Sequence, residues 1–151
     1  MTTIPIQTIG QKITEIKYFY NPENEFGLQE FESFIKIEDN SIIQIPYFTT
    51  QQWNDAELRK KFDDAKSIKS KYVDSILNLK IINYHFTYFE DELDEMEKAI
   101  IELENGIYIT EKNYGPIGLT NIDLQIMNKA EFLNFIENLD SEFEIKPLIN
   151  N

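Results

Sequence analysis

The sequence contains no cysteine, a single histidine (His85) and only five glycines in 151 residues. Without cysteine the chain has no disulfide bond, no thiolate metal site and no cysteine nucleophile. One histidine excludes a multi-histidine metal centre and leaves a Ser-His-Asp triad without any alternative base. No GxxxxGK[ST], GxGxxG, HExxH or GxSxG pattern occurs, so phosphate-binding loops and the common hydrolase motifs are absent. We therefore expect a protein that is not an enzyme and that carries no cofactor and no metal.

Long apolar runs are also missing. No stretch approaches the roughly 18 apolar residues that a membrane-spanning helix requires. Residues 1–11 lack the basic region followed by an apolar run that marks a secretory signal. These features, together with the absence of cysteine, predict a soluble protein of the cytoplasm.

Positive charge is scarce. The chain has 14 basic and 27 acidic residues, a formal net charge of −13 and a pI near 4.4. This charge repels phosphate backbones and anionic lipids, so direct binding to nucleic acid or membrane is not expected. A basic protein partner would be attracted and held by complementary charge. The alternative is that the acidic surface serves only solubility.

Apolar residues make up 42% of the chain and aromatic residues 13%, which exceeds what a disordered chain carries. The length suits one domain with one core. We found no composition shift that would mark a domain boundary, and we expect a single domain over residues 1–151.

An internal repeat organises the sequence. KITEIKYFY (12–20) aligns with KIINYHFTY (80–88), and FIKIEDNSIIQI (34–45) aligns with IIELENGIYITE (100–111). Apolar residues alternate in each copy, as in strands with one buried face. Asp39-Asn40 and Asn105-Gly106 are turn dipeptides between the second and third strands. The pattern predicts two three-stranded meanders, at about 12–46 and 80–112.

Helices are predicted after each meander. Asn54 and Glu57 have the spacing of a helix cap, and an apolar stripe at intervals of three or four residues predicts a helix over about 55–77. Asn128 and Glu131 repeat the cap spacing for a short second helix, preceded by a strand over 122–127. The residues from Ser141 onward are expected to form either a loose tail or an edge strand. The expected fold is α+β, with a mostly antiparallel sheet of about six strands and two helices. Whether the repeats share one sheet or form two sheets packed face to face stays open.

An acidic run after the first strand of the second copy is the main candidate for a partner-binding surface. It extends from Glu90 to Glu104 and has Lys98 as its single basic residue. Its alternative role is a solvated loop and strand edge, with loosely bound Ca²⁺ as a further alternative. The candidate partner-binding residues are Glu90, Asp91, Glu92, Asp94, Glu95 and Glu97.

A second candidate surface is the aromatic connection IPYFTTQQW (45–53). Tyr47, Phe48 and Trp53 are residue types that often dominate binding energy at protein interfaces. The same side chains would equally suit the open end of the sheet as core residues.

The segment ELENGIYITEKNYGPIGL (102–119), with FIKIEDNSIIQIPY (34–47) before it, resembles the small acidic immunity proteins encoded beside bacterial polymorphic toxins. The likeness covers an apolar strand, an Asn-Gly turn, an aromatic strand, Thr-Glu and a Pro-x-Gly loop. It implies a cognate toxin that is bound and inhibited in the cytosol, often a basic nuclease whose active site is covered by an acidic patch. It implies no catalytic residues.

Two other functions remain open at this point. An acidic nucleic-acid mimic, such as a phage-encoded inhibitor, would array carboxylates at phosphate-like spacing over one long face. A small carboxylate-based enzyme would need two carboxylates in a pocket with an apolar setting. His85 is expected to be an ordinary half-exposed strand residue that faces away from the apolar row.

Overall fold

The computed structural model describes residues 6–21, 30–45, 56–67, 71–93, 99–114 and 121–150. Within these ranges the chain forms ten strands, three α-helices and two short 3₁₀ segments, Ile6–Thr8 and Glu104–Gly106. The strands are β1 Ile13–Asn21, β2 Glu30–Ile37, β3 Ile42–Ile45, β4 Lys66–Ser67, β5 Ile81–Phe89, β6 Glu92–Leu93, β7 Ile100–Leu103, β8 Ile107–Tyr114, β9 Asn121–Asn128 and β10 Phe143–Pro147. The helices are α1 Ala56–Asp64, α2 Lys71–Asp74 and α3 Lys129–Glu137.

The strands form two antiparallel sheets, so the predicted α+β class is confirmed. The first sheet has the order β3-β2-β1-β4, and the second has the order β10-β5-β7-β8-β9 with β6 paired to β5. Each predicted meander is present, but the two lie in different sheets rather than in one. Within the second sheet the order β8-β7-β5-β10 matches the order β3-β2-β1-β4 of the first, so β10 corresponds to β4. The repeat thus extends beyond the meander to the strand that follows the helix.

The strand registers of the two copies agree residue by residue. Ile13 pairs with Ile37 in the first copy, and their counterparts Ile81 and Leu103 pair in the second. A register shift follows immediately in both, between residues 13 and 15 and between residues 81 and 83. Such a shift marks a β-bulge, which local sequence signals rarely reveal. Its recurrence is independent support for the repeat.

The main core lies between the facing sheets. Strand alternation turns the odd-numbered residues Ile35 and Ile37 of β2 inward, and Ile101 and Leu103 of β7 meet the same cluster from the second sheet. All four side chains are buried. The outer face of the first sheet is covered by α1, whose Leu58 and Phe62 pack on Phe34 and Ile42. The outer face of the second sheet is covered by α3, through Phe132 against Ile100, Tyr108 and Met127.

A two-fold relation joins the two copies at the starts of β1 and β5. Lys12 and Lys80, which are counterparts in the repeat, form an antiparallel bridge. The Ile81 amide donates to the Gln11 carbonyl, and the Ile13 amide donates to the Leu79 carbonyl, both at 3.0 Å. Ile13 is the counterpart of Ile81, and Gln11 is the counterpart of Leu79, so the two hydrogen bonds are equivalent in the repeat. The two sheets are therefore held together across this bridge in a symmetrical way.

The predicted helix over 55–77 is wrong as a single element. The chain leaves α1 after Asp64, forms β4 at the edge of the first sheet and then enters α2. The apolar stripe that suggested one helix serves two different cores. Leu58 and Phe62 pack on the outer face of the sheet, whereas Ile76 packs between the sheets. One straight helix cannot reach both faces, so the chain crosses the sheet edge at β4.

The remaining elements follow the prediction. The strand expected over 122–127 is β9, and the edge-strand tail is β10. Asn128 caps α3 by accepting from the Glu131 amide at 2.8 Å, while the Glu131 carboxylate accepts from the Asn128 amide at 3.1 Å. Of the helices described, none combines the length and apolarity needed to cross a bilayer.

Candidate functional site

The acidic run begins at a tight hairpin between β5 and β6. Glu90 and Asp91 form its two-residue turn, and Phe89 pairs with Glu92 to close it. Both turn residues have positive φ, 50° and 66°, and the side chains of all three acidic residues are exposed. The other predicted partner-binding residues lie outside the described residues: Asp94, Glu95, Glu97, Tyr47, Phe48 and Trp53.

Neighbouring strands add aromatic residues to this turn. Residues opposite each other in adjacent strands share a face of the sheet. Glu92 of β6, Phe89 of β5 and Phe143 of β10 therefore lie in one row on one face. The two phenyl rings are in contact, with centroids 5.6 Å apart, and Phe89 remains 38% exposed. We call Phe89, Glu90, Asp91, Glu92 and Phe143 the hairpin patch.

Lys146 of β10 is the basic residue that contacts this patch among the described residues. Its Nζ lies 3.4 Å from Asp91 Oδ1 and 3.8 Å from Glu144 Oε2. It also lies 5.0 Å from the centroid of the Tyr88 ring, on the same side of the sheet as Glu144. Because Asp91 is 89% exposed, this ion pair contributes little to stability. The patch therefore keeps an excess of negative charge around the rings of Phe89 and Phe143.

The acidity of the chain is unevenly divided between the two copies. Residues 1–79 contain nine basic and twelve acidic residues, a net charge of −3. Residues 80–151, which begin with the second copy of the repeat, contain five basic and fifteen acidic residues, a net charge of −10. The hairpin patch thus belongs to the copy that carries most of the net negative charge.

Two carboxylates of the predicted run have structural roles instead. Glu104 Oε1 accepts a hydrogen bond from the Lys80 amide at 3.1 Å. Glu102 Oε1 lies 2.8 Å from His85 Nε2, and the Glu102 and His85 side chains are 21% and 12% exposed. Sequence spacing placed these residues in the same run as Glu90, but the strand β7 carries them away from the hairpin.

His85 lies on the outer face of the second sheet, as predicted, but beneath α3 rather than toward solvent. Its ring centroid is 4.9 Å from that of Phe132 and 6.0 Å from that of Tyr108. The Tyr108 and Phe132 rings are stacked at 4.0 Å. Burial, with a further contribution from the Glu102 charge, raises the pKa of Tyr108. The sequence did not predict the Glu102 partner, because the pairing depends on the β5–β7 register.

Two grooves are lined by described residues. One, of about 280 Å³, lies between β9 and α3 and is bordered by Gln125, Met127, Glu131 and Asn134. The other, of about 150 Å³, lies between β1 and α2 and includes the carboxylates of Glu15 and Asp74. Both are smaller than the roughly 300–1,000 Å³ of most small-molecule sites. In the described part of the chain, no three metal-binding side chains converge.

The comparisons with known proteins add no family to these observations. No family model, no curated protein and no solved structure matches the chain.

Proposed function

We propose that the chain is a bacterial immunity protein of the cytosol. It binds a basic toxin and neutralises it by covering the active site, or another essential surface, with the hairpin patch. The fold supports a binding role because the patch lies where β5 ends between β6 and β10, with its three acidic side chains exposed. The charge of the second copy supports a basic partner.

The observation that carries this proposal is the residue choice in the hairpin turn. Two consecutive positive φ angles favour the dipeptide Asn-Gly. The other such turn of the second copy has this dipeptide, Asn105-Gly106, with φ angles of 69° and 70°. Glu90 and Asp91 adopt the same region at a cost of about 1–2 kcal/mol for a residue with a full side chain. Backbone strain retained at an exposed position is typical of functional sites.

The composition of the patch also suits an interface. Hot spots are usually large apolar or aromatic side chains surrounded by polar residues that exclude water. Here the Phe89 and Phe143 rings contact each other, and the carboxylates of Glu90, Asp91 and Glu92 surround their end of the sheet. The carboxylates steer a basic partner toward the patch, and the rings provide apolar area that is buried on binding.

The test uses the protein encoded by the reading frame beside this one, expressed alone and together with this chain. We expect the neighbour to stop growth alone and to be neutralised by co-expression. The double variant Glu90→Asn/Asp91→Gly is expected to weaken binding, with a slower association rate and a weaker salt dependence. The same variant should be more stable by about 1 kcal/mol, because it relieves the turn.

Asp63→Asn/Asp64→Asn is the matched control. It removes the same two charges from exposed positions at the end of α1, in the other copy. It should leave the affinity and its salt dependence close to those of the wild type. If both double variants bind equally well, the hairpin patch is not the interface. If the neighbour is harmless alone, the immunity function itself is wrong.

A further inference from the structure

We propose that Lys17 and Lys36 form a binding site for a phosphate-type oxyanion on the outer face of the first sheet. Both lysines lie on the face covered by α1, since Lys17 pairs with the outward Phe34 and Lys36 is two residues further along β2. Lys17 Nζ lies 4.4 Å from the centroid of the Phe62 ring, and Lys36 Nζ lies 5.8 Å from the same centroid. Two ammonium groups are thus held beside one buried ring.

Neither lysine has a carboxylate partner within the described ranges. Lys17 donates one hydrogen bond to the Phe62 carbonyl at 3.2 Å, near the C-terminal end of α1. An ammonium group has three N–H donors, so Lys17 keeps donors for a further acceptor. Glu15 is opposite Lys36 in the register but makes no ion pair with it. Both lysine side chains are half-buried, and both ammonium groups lie near the Phe62 ring.

The second copy has a partnered pair at the equivalent positions. The counterparts of Lys17 and Lys36 are His85 and Glu102, and His85 Nε2 lies at hydrogen-bond distance, 2.8 Å, from Glu102 Oε1. His85 lies under Phe132 of α3, as the two lysines lie beside Phe62 of α1. The arrangement of strand pair, aromatic ring and covering helix is therefore shared. The first copy places two ammonium groups where the second has a histidine bonded to a carboxyl group.

Charge and geometry favour an oxyanion as the missing acceptor. A phosphate group offers several oxygens and up to two negative charges, so it can accept from both ammonium groups at once. The first copy has a net charge of only −3, so the approach of an anion is opposed less than it is at the second copy. Two ammonium groups suit the charge of a single phosphoryl group, so the ligand class is free phosphate or one phosphoryl group.

The experiment measures thermal unfolding and heat of binding in roughly 50 mM phosphate and in chloride of equal ionic strength. We expect phosphate to raise the Tm of the wild type by about 3 °C over chloride. Adenosine monophosphate is the second probe. Equal stabilisation by both probes assigns the site to phosphoryl groups in general, and stabilisation by inorganic phosphate alone assigns it to the free ion.

Lys36→Glu supplies the residue found at the equivalent position of the other copy. It should abolish the phosphate effect and raise the Tm in low salt, because Lys17 gains an ion-pair partner. Lys60→Glu makes the same charge change at an exposed residue of α1 and should retain the phosphate effect. Equal Tm of the wild type in phosphate and chloride overturns the proposal. So does a loss of the effect in Lys60→Glu as large as in Lys36→Glu.

If Lys36→Glu does not fold, the proposal is tested by NMR titration of the wild-type protein with phosphate. The Lys17 and Lys36 ammonium signals should shift before those of Lys60, and simultaneous shifts of all lysines would contradict a specific site. This inference does not depend on the immunity function. Lys36→Glu should bind the toxin like the wild type, so failure of one proposal leaves the other testable.

Discussion

Lys12 and Lys80 face each other across an antiparallel bridge, and the backbone amide of each donates a hydrogen bond to a glutamate side chain. The two glutamates, Glu38 and Glu104, are themselves counterparts in the repeat. Glu38 Oε1 accepts from the Lys12 amide at 2.6 Å, and Glu104 Oε1 accepts from the Lys80 amide at 3.1 Å. The copies therefore share side-chain contacts as well as strand order. Energetic effects of changes at such positions should come in matched pairs.

The two bridge glutamates give the first such pair. Glu38→Ala and Glu104→Ala should each lower the free energy of unfolding by about 1 kcal/mol, since each removes one hydrogen bond to a backbone amide. Denaturant unfolding measures both. Glu142→Ala, at an exposed position without a hydrogen bond, should change stability by less than about 0.5 kcal/mol. A large effect at one glutamate only would contradict an equal role for the two.

Ser33 is a buried residue whose hydroxyl has no hydrogen-bond partner in the described part of the structure. Its counterpart in the second copy is Ala99. Ser33→Ala should therefore raise the free energy of unfolding by about 1 kcal/mol. Thr110→Val is the control, because the Thr110 hydroxyl donates to the Ala99 carbonyl at 2.7 Å and its loss should destabilise the fold. A destabilising Ser33→Ala would indicate a partner for this hydroxyl.

Asn83 holds the C-terminal segment beside β5. Its Nδ2 donates to the Ile149 carbonyl at 2.9 Å, and its Oδ1 accepts from the Tyr84 and Ile149 amides at 2.9 and 3.0 Å. Asn83→Ala should accelerate digestion by carboxypeptidase and lower the free energy of unfolding by about 2 kcal/mol. Asn134→Ala, on the exposed face of α3, should do neither. Unchanged digestion would mean that other contacts hold the segment.

Two tyrosines should ionise late on alkaline titration. Burial raises the pKa of Tyr84 despite a hydrogen bond with Thr8, and burial with the Glu102 charge raises that of Tyr108. Since the folded state holds these protons more tightly, the stability they contribute is present below the unfolded pKa of about 10 and falls as pH rises above it. The phenolate absorbance of the folded protein, measured against pH, should show two tyrosines that ionise at higher pH than the others. Tyr84→Phe should remove one of these two late transitions. Release of all eight tyrosine protons in one ordinary step would contradict this.

Much of the fold was accessible from the sequence because its signals are local. Strand alternation around Ile16 and Tyr84, the Asn105-Gly106 turn and the Asn128 cap each depend on a few neighbouring residues. The helix over 55–77 failed because periodicity reports that a residue is buried and not which core buries it. Phe62 and Ile76 fit one helical stripe although they lie on opposite faces of a sheet.

The candidate site was only partly accessible for a similar reason. Net charge indicated the kind of partner, and the acidic run located Glu90, Asp91 and Glu92. The aromatic row of Phe89 and Phe143 depends on pairing between segments more than fifty residues apart, which one sequence does not reveal. The same is true of Lys17, Lys36 and Phe62, whose proximity depends on the pairing of β1 with β2 and on the position of α1.

The bridge at Lys12 and Lys80 has a consequence for symmetry. A residue that meets its own counterpart on a two-fold axis is typical of an isologous dimer interface. The two copies, each about 70 residues long, are therefore arranged within one chain as the subunits of such a dimer are. Identical subunits must carry identical surfaces, whereas two copies within one chain can differ. Here the second copy carries a net charge of −10 and the first a net charge of only −3.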